Sequence, residues 1–288
     1  GKRLWRTELK GVPTYTLSSV YKDNILYSVL RKGVYALNAA TGQVLWGNEP
    51  LIYHFTTHPV VDGNLLFVVM NDPNPPPLSG IKAKILALDI RTGKPVWEND
   101  VNYLTSESPV VYDGKLIYGA SNGKIYALNQ SDGTTNWIRD LSVDYSNLGS
   151  DRVSPTVHNN IVLVHNGNQG YFALSAQTGS IIWNHKLSSG LSPAIGNGLA
   201  YLGSYSTNKL VAVNLSTGVV AWEKDYPGHL NSPILVKNRL YFRTNGFSVY
   251  NALNGEFIQS FTTISGMYGN EKAAILSDGV VYYPAESG

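Results

Sequence analysis

Apolar residues in this chain come in short runs separated by polar pairs suited to tight turns, and the order of run and turn repeats along its length. The runs Ile25–Leu30, Leu65–Met70, Leu116–Ser121, Ile161–Asn166, Leu199–Ser204, Leu240–Asn245 and Val280–Ala285 each follow a hairpin signal. Those signals are Asp23-Asn24, Asp62-Gly63, Asp113-Gly114, Asn159-Asn160, Asn197-Gly198, Lys237-Asn238 and Asp278-Gly279. Runs this short, bounded by residues that tolerate positive φ, predict strands joined by tight turns. A second apolar segment follows at Val34–Asn38, Ile85–Asp89, Ile125–Asn129, Tyr171–Ser175, Leu210–Asn214 and Phe247–Asn251. The polar residue that ends it leads into Thr-Gly, Asp-Gly or Asn-Gly, so a further hairpin and an antiparallel strand are expected beyond it.

The tryptophans set the period. All six stand four residues after a glycine: Gly1 and Trp5, Gly42 and Trp46, Gly93 and Trp97, Gly133 and Trp137, Gly179 and Trp183, Gly218 and Trp222. In a seventh unit Gly255 is followed by Gln259 at the Trp place. Successive glycines are 41, 51, 40, 46, 39 and 37 residues apart, the length of one four-stranded propeller blade. Five units also carry a polar residue and Pro where the innermost strand should begin: His58-Pro59, Ser108-Pro109, Ser154-Pro155, Ser192-Pro193 and Ser232-Pro233. Proline is tolerated there because the first residue of a strand can do without a ladder donor.

These units predict an all-β chain, a single seven-bladed β-propeller of four-stranded antiparallel blades. The blades fall at about 18–49, 58–100, 108–140, 154–186, 192–224 and 232–261, with a last one shared by 273–288 and 1–8. Sharing a blade between the terminal strands would tie the ring shut and protect its edges. That blade would lack the stretch equivalent to Lys124–Asp132, and the alternative is an eight-bladed parent truncated at one end.

The unit Ala87-x-Asp89-x-x-Thr92-Gly93-x-x-x-Trp97 resembles the repeat of the pyrroloquinoline quinone (PQQ) dehydrogenases and of the non-enzymatic outer-membrane assembly lipoprotein of the same propeller type. Four other units are near matches and Val249–Gln259 is a degenerate one, so the resemblance runs through essentially the whole chain. It implies that Trp5, Trp46, Trp97, Trp137, Trp183 and Trp222 are structural, docking between neighbouring blades, with the small Ala leaving room for them. A Trp at a fixed place in every repeat points to interblade core on its own account as well.

Composition narrows the function. Aromatic residues make up 11% of the chain and charged ones 15%, a balance that favours strands and turns over helices. The net charge is +2 and no run of Lys or Arg exceeds two, so nucleic acid is not an expected partner. No apolar stretch reaches the ~18 residues of a membrane-spanning helix. The absence of Cys excludes disulfides, thiolate nucleophiles and Cys metal sites. Neither a Gly-x-Ser-x-Gly elbow nor a phosphate-binding glycine loop occurs.

Propellers usually bind at one mouth of the central channel, where loops between blades meet loops between second and third strands. Two long loops, Asn71–Gly80 and Leu141–Arg152, are expected on that face. Candidate binding residues there are Tyr53, His54, Tyr103, Glu107, Asp144, Tyr145, Arg152, His229, Tyr268 and Glu271. Tyr and Arg are the residue types that anchor interfaces. Of these, Glu107, Asp144 and Glu271 would be the carboxylates to gather around calcium. A quinoprotein dehydrogenase would need that calcium, PQQ and in many members a vicinal Cys pair, so catalytic residues, PQQ and a metal are not expected. The six His read as structural or surface groups, and His54 and His58 are spaced for a helical zinc pair in a stretch that is not helical. Asn129 and Asn214 stand in glycosylation sequons. The expected role is a non-catalytic scaffold or sensor module outside the cytoplasm, secreted, periplasmic or at the cell surface. It would bind a protein or extended ligand on one channel face, as a monomeric domain or part of a larger chain. The alternative is a small secreted quinoprotein-type oxidoreductase or carbohydrate-active enzyme using the channel.

Overall fold

The computed structural model of the chain describes residues 4–9, 16–30, 33–48, 54–55, 57–71, 82–103, 108–141, 152–188, 190–204, 206–226, 232–243, 247–261, 275–277 and 280–282. The residues group into two compact units, 1–146 with 176–179 and 147–175 with 180–288.

The first unit holds three antiparallel meanders. The first is β1 (Thr16–Lys22), β2 (Ile25–Leu30), β3 (Gly33–Asn38) and β4 (Val44–Asn48), paired in chain order. In the second, β5 (His54–Phe55) and β6 (Val60–Asp62) both pair with β7 (Leu65–Asn71), which leads to β8 (Ala83–Asp89) and β9 (Pro95–Val101). The third is β10 (Val110–Tyr112), β11 (Lys115–Gly119), β12 (Lys124–Asn129) and β13 (Thr135–Asp140). The second unit repeats the pattern. It contains β14 (Arg152–His158), β15 (Ile161–Asn166), β16 (Tyr171–Ser175) and β17 (Ile181–His185), then β18 (Ala194–Gly196), β19 (Leu199–Ser204), β20 (Lys209–Asn214) and β21 (Val220–Asp225). A third meander, β22 (Ile234–Val236), β23 (Arg239–Arg243), β24 (Phe247–Asn251) and β25 (Phe257–Phe261), is followed by the pair β26 (Ile275–Ser277) and β27 (Val280–Tyr282). The fold is that of a β-propeller, and these six meanders are its complete blades among the described residues.

Burial explains why the middle strands read as unbroken apolar runs. Alternate residues of a strand face opposite sides of its sheet. Leu66, Val68 and Met70 of β7 pack with Tyr27, Val29 and Val34 of the first sheet, while Phe67 and Val69 pack with Leu116 and Tyr118 of the third. In the second unit Ala200 and Leu202 join the sheet before β19, and Tyr201 joins the sheet after it. A sheet covered on both faces has no polar side, so period-two alternation disappears from its inner strands.

The indoles lock one repeat to the next. Trp5, Trp46, Trp97, Trp137, Trp183 and Trp222 donate their ring N–H to the carbonyls of Ala39, Ile90, Gln130, Ala176, Leu215 and Ala252, at 2.7–3.0 Å. Beside each acceptor lies the hairpin glycine of that turn, Gly42, Gly93, Gly133, Gly179, Gly218 or Gly255. These glycines have φ from +66° to +74°, and a Cβ on any of them would stand 2.5–2.8 Å from the indole. Both positive φ and the flat approach of the ring therefore require glycine. In five of the six sheets the repeat's Ala is the register partner of its own Trp, as in Ala36 opposite Trp46 and Ala87 opposite Trp97, and in the last Val249 faces Gln259.

Several details differ from the expectation. The outer ladder of every blade skips one residue ahead of the Trp place: Leu45, Val96, Asn136, Ile182, Ala221 and Ile258. Such a bulge re-aims the residue that follows it, here toward the next repeat. Pro155 lies inside β14, at a register shift between Val153 and Thr156, so the strand begins earlier than its Ser-Pro suggests. Pro59, Pro109, Pro193 and Pro233 do stand directly before β6, β10, β18 and β22. The turn after β6 is Gly63-Asn64, with Asp62 already in the strand. Residues 4–9, expected as a strand of the shared blade, carry no strand among the described residues, and of that blade the description includes the β26–β27 pair.

Candidate functional site

The described part of the loop-rich end in the first unit is built by three tyrosines. β9 carries the chain past Val101 to Tyr103, where the link toward β10 starts, and β11 and β12 present Tyr118 and Tyr126 from either side of the turn at Ser121-Asn122-Gly123. Tyr103 stacks on Tyr126 with ring centroids 4.6 Å apart, and Tyr118 lies 5.4 Å from Tyr126 at an interplanar angle of 9°. The hydroxyls of Tyr103 and Tyr118 are 2.9 Å apart, and Asn122 donates its side-chain amide to the Tyr126 hydroxyl at 2.7 Å. Leu141 N–H donates to the Gly123 carbonyl at 3.1 Å, which ties the end of β13 to the same turn.

Burial pushes the phenols of Tyr103 and Tyr118 far above the ordinary tyrosine range. They stay neutral and serve as hydrogen-bonding, stacking groups rather than bases. Tyr103, expected as an exposed loop residue, is therefore a buried one, 9% exposed. Its ring packs against Tyr118 and Tyr126 rather than facing solvent. Nothing in its sequence neighbourhood distinguishes it from an exposed Tyr, because its partners are 15 and 23 residues away.

The second unit has a related arrangement. Tyr226, just past β21, donates its N–H to the Asn208 carbonyl at 2.8 Å and packs edge-on against Phe242 and Tyr250 at 4.9 and 4.7 Å. Phe242 sits on β23 where Tyr118 sits on β11, so the hydroxyl that pairs with Tyr103 has no counterpart beside Tyr226.

The other candidates divide by place. His54 lies on β5 opposite Asn71, and Arg152 on β14 opposite Asn166, both in strands rather than in the blade-linking loops expected for them. The ladder reaches them because β7 and β15 run long enough to pair both. Tyr53, Glu107, Asp144, Tyr145, His229, Tyr268 and Glu271 lie outside the described residues, as does most of both long loops. The three carboxylates named for calcium are among them. Among the described residues no three His, Asp or Glu side chains gather closely enough to hold a metal ion, and no helix is long and apolar enough to cross a membrane.

The two sequons coincide with turn chemistry. Asn214 accepts the N–H groups of Ser216 and Thr217 at 3.0 Å, as Asn38 does from Ala40 and Thr41 and Asp89 from Arg91 and Thr92. Asn129 occupies the same place and donates its amide to the Thr134 hydroxyl at 2.8 Å. The repeat's demand for an Asx residue ahead of the hairpin glycine accounts for both sequons.

Comparison with known proteins follows the same lines. The family model described as outer membrane protein assembly factor BamB, a PQQ-type repeat, matches residues 1–75 and 77–261. The chain is 26% identical over 266 residues to the outer membrane protein assembly factor BamB of Yersinia pestis, covering 83% of this chain and 64% of that protein. It is 27% identical over 284 residues to the tetrathionate hydrolase of Acidithiobacillus ferrooxidans, covering 87% of this chain and 53% of that one. The chain thus spans between half and two thirds of the length of these relatives. The crystal structure of BamB from Moraxella catarrhalis superposes with a TM-score of 0.73 at 21% identity, over 98% of this chain and 83% of that one, a likeness of fold. With the repeat signature, the six indole locks and the family match running through nearly all of its length, the chain belongs to the PQQ-type repeat family of the outer membrane protein assembly factor BamB.

Proposed function

We propose that this chain is a non-catalytic propeller that holds a protein partner, or an extended ligand, on its loop-rich face outside the cytoplasm, in the assembly of outer membrane proteins. The observation that carries this reading is the family match over residues 1–75 and 77–261. The residues that define the repeat are occupied in docking sheets together, which leaves binding to the loops that vary between repeats. Tyr145 and Arg152 are the residues we assign to the binding surface, with Tyr53, His54, His229 and Tyr268 as further candidates. Chemical crosslinking in envelope extracts of the source organism tests this. A captured protein whose yield falls several-fold with Tyr145→Ala or Arg152→Ala is the expected result, and a yield indifferent to both changes would reject this face.

A second reading, an enzyme working in the channel, is favoured by one observation, the tetrathionate hydrolase relative that covers 87% of the chain. In its quinoprotein form Glu107, Asp144 and Glu271 would have to hold calcium beside PQQ, and no vicinal Cys pair exists to lie against the quinone. Titrating the protein with PQQ and calcium while following absorbance separates the two readings, since stoichiometric binding would support the enzyme.

A further inference from the structure

We propose that His165 is a pH-operated latch on the segment that links β17 to β18. His165 is the penultimate residue of β15, buried to 6% exposure. The Gly190 N–H donates to its Nε2 at 2.9 Å, while the Leu187 carbonyl lies 3.0 Å from that same nitrogen. One imidazole nitrogen carries either a lone pair or a proton, so the two bonds exclude each other. With Nε2 unprotonated the ring accepts from Gly190. The imidazolium instead donates Nε2–H to Leu187, and the Gly190 amide then faces an N–H and loses its acceptor.

The link is shaped for this ring. A Cβ on Gly190 would stand 2.1 Å from the imidazole Cδ2, so no side chain separates the link backbone from His165. The neighbouring Leu191 N–H is held by the Tyr171 hydroxyl at 2.7 Å and the Gly203 carbonyl at 3.0 Å, and Gly190 pairs with Ser204. The Tyr171 ring stands edge-on to His165 at 4.7 Å. Loss of the Gly190 bond therefore loosens a short stretch, one of whose remaining bonds passes through Tyr171, the residue touching the imidazole.

The titratable residues on the strands and link beside it are Tyr171 on β16, His185 opposite Tyr171 on β17 and Lys186 at the start of the link, and on β14 Arg152 precedes Val153, the register partner of His165. Burial holds His185 below the ordinary histidine range, against the pull of Glu223 on β21. Burial keeps the Tyr171 phenol neutral.

Hydrogen–deuterium exchange of the whole chain tests the latch, at about pH 7.5 and about pH 4.5, the lower value well below an ordinary histidine's ~6.5. Rates are corrected for the pH dependence of intrinsic exchange. The Gly190 and Leu191 amides should lose protection about tenfold at the lower pH while the amides of β20 do not. His165→Gln places an acceptor and a donor on separate, uncharged atoms and should keep the link protected at both pH values. Equal protection of the wild-type link at both pH values, or the same loss in His165→Gln, would overturn the proposal; the latter would assign the effect to His185. Should His165→Gln not fold, ring ¹⁵N shifts of wild-type His165 decide. Nε2 must be the unprotonated nitrogen at the higher pH.

Discussion

The indole of Trp46 occupies the space that a side chain on Gly93 would need. A Cβ there would lie 2.5 Å from the ring's Cε3, and the indole N–H donates to the Ile90 carbonyl three residues earlier at 2.8 Å. One turn thus supplies both the acceptor and the flat surface, and the same pair recurs in every described repeat junction.

Gly93→Ala should accordingly cost more than backbone strain. Gly114 has a similar φ of +71° with nothing near its absent side chain, against +69° and a ring at Gly93. Gly114→Ala should cost ~1–2 kcal/mol for the left-handed backbone alone. Gly93→Ala should cost a further ~1–3 kcal/mol for overpacking. Urea unfolding of the two variants measures the difference, and equal costs would mean that the indole yields freely.

Trp97→Phe separates the ring from its hydrogen bond. A six-membered ring stays while the five-membered ring and its donor to the Gln130 carbonyl at 2.7 Å go, and a loss of ~1–3 kcal/mol is expected. Trp97→Ala should lose ~3–5 kcal/mol, since the ring is largely buried against the next sheet. Chemical denaturation followed by far-UV circular dichroism reads both, because the substitutions alter the fluorescence itself.

Lys115 is a charge taken into the interior, 8% exposed, with its ammonium donating to the Gln177 side-chain carbonyl at 2.8 Å and to the Asp113 carbonyl at 3.3 Å. Gln177→Leu removes the shorter bond and should cost ~1.5–3 kcal/mol. Lys115→Met in the same chain should restore part of it, because the buried ammonium, left with only Asp113 at 3.3 and 3.9 Å, is then gone. A double-mutant cycle on melting curves tests the coupling, and additive losses would count against it.

Acid should weaken the second repeat's turn. Burial works against a charged Asp89, but the Thr92 hydroxyl, the Thr92 and Arg91 amides and the Arg91 guanidinium outweigh it and hold the carboxyl below the ordinary range. A carboxyl held low in the folded chain adds stability that is complete above the unfolded value of ~3.9 and is lost as the pH falls through the folded one. Asp89→Asn keeps the turn, since Asn38, Asn129, Asn214 and Asn251 fill the equivalent place. Its melting temperature should lie below the parent's at neutral pH, fall less steeply below about pH 4, and converge with the parent's there. An unchanged acid limb would show that Asp89 does not contribute to it.

Much of this architecture is written locally. A Gly four residues before each Trp, an Asx residue or Ser175 before the glycine and a turn pair before each inner strand depend on φ preferences and short-range hydrogen bonds, which neighbouring residues dictate. Burial of both sheet faces follows from the same runs, because an unbroken Leu66–Met70 has no polar side to show to water. Arg152 and His54 look like loop residues in sequence because their pairing depends on how far a partner strand extends.

The sequence by itself thus determined the repeat, the hairpins, the family and the identity of the docking indoles. Only the tertiary structure decided that Tyr103 belongs to a buried stack, that a bulge precedes each of Trp46, Trp97, Trp137, Trp183 and Trp222, and that one nitrogen of His165 lies within reach of two backbone groups. The reason is physical. Turns and strands arise from interactions a few residues apart, whereas a side chain's surroundings are set by residues that the chain brings back from tens of positions away.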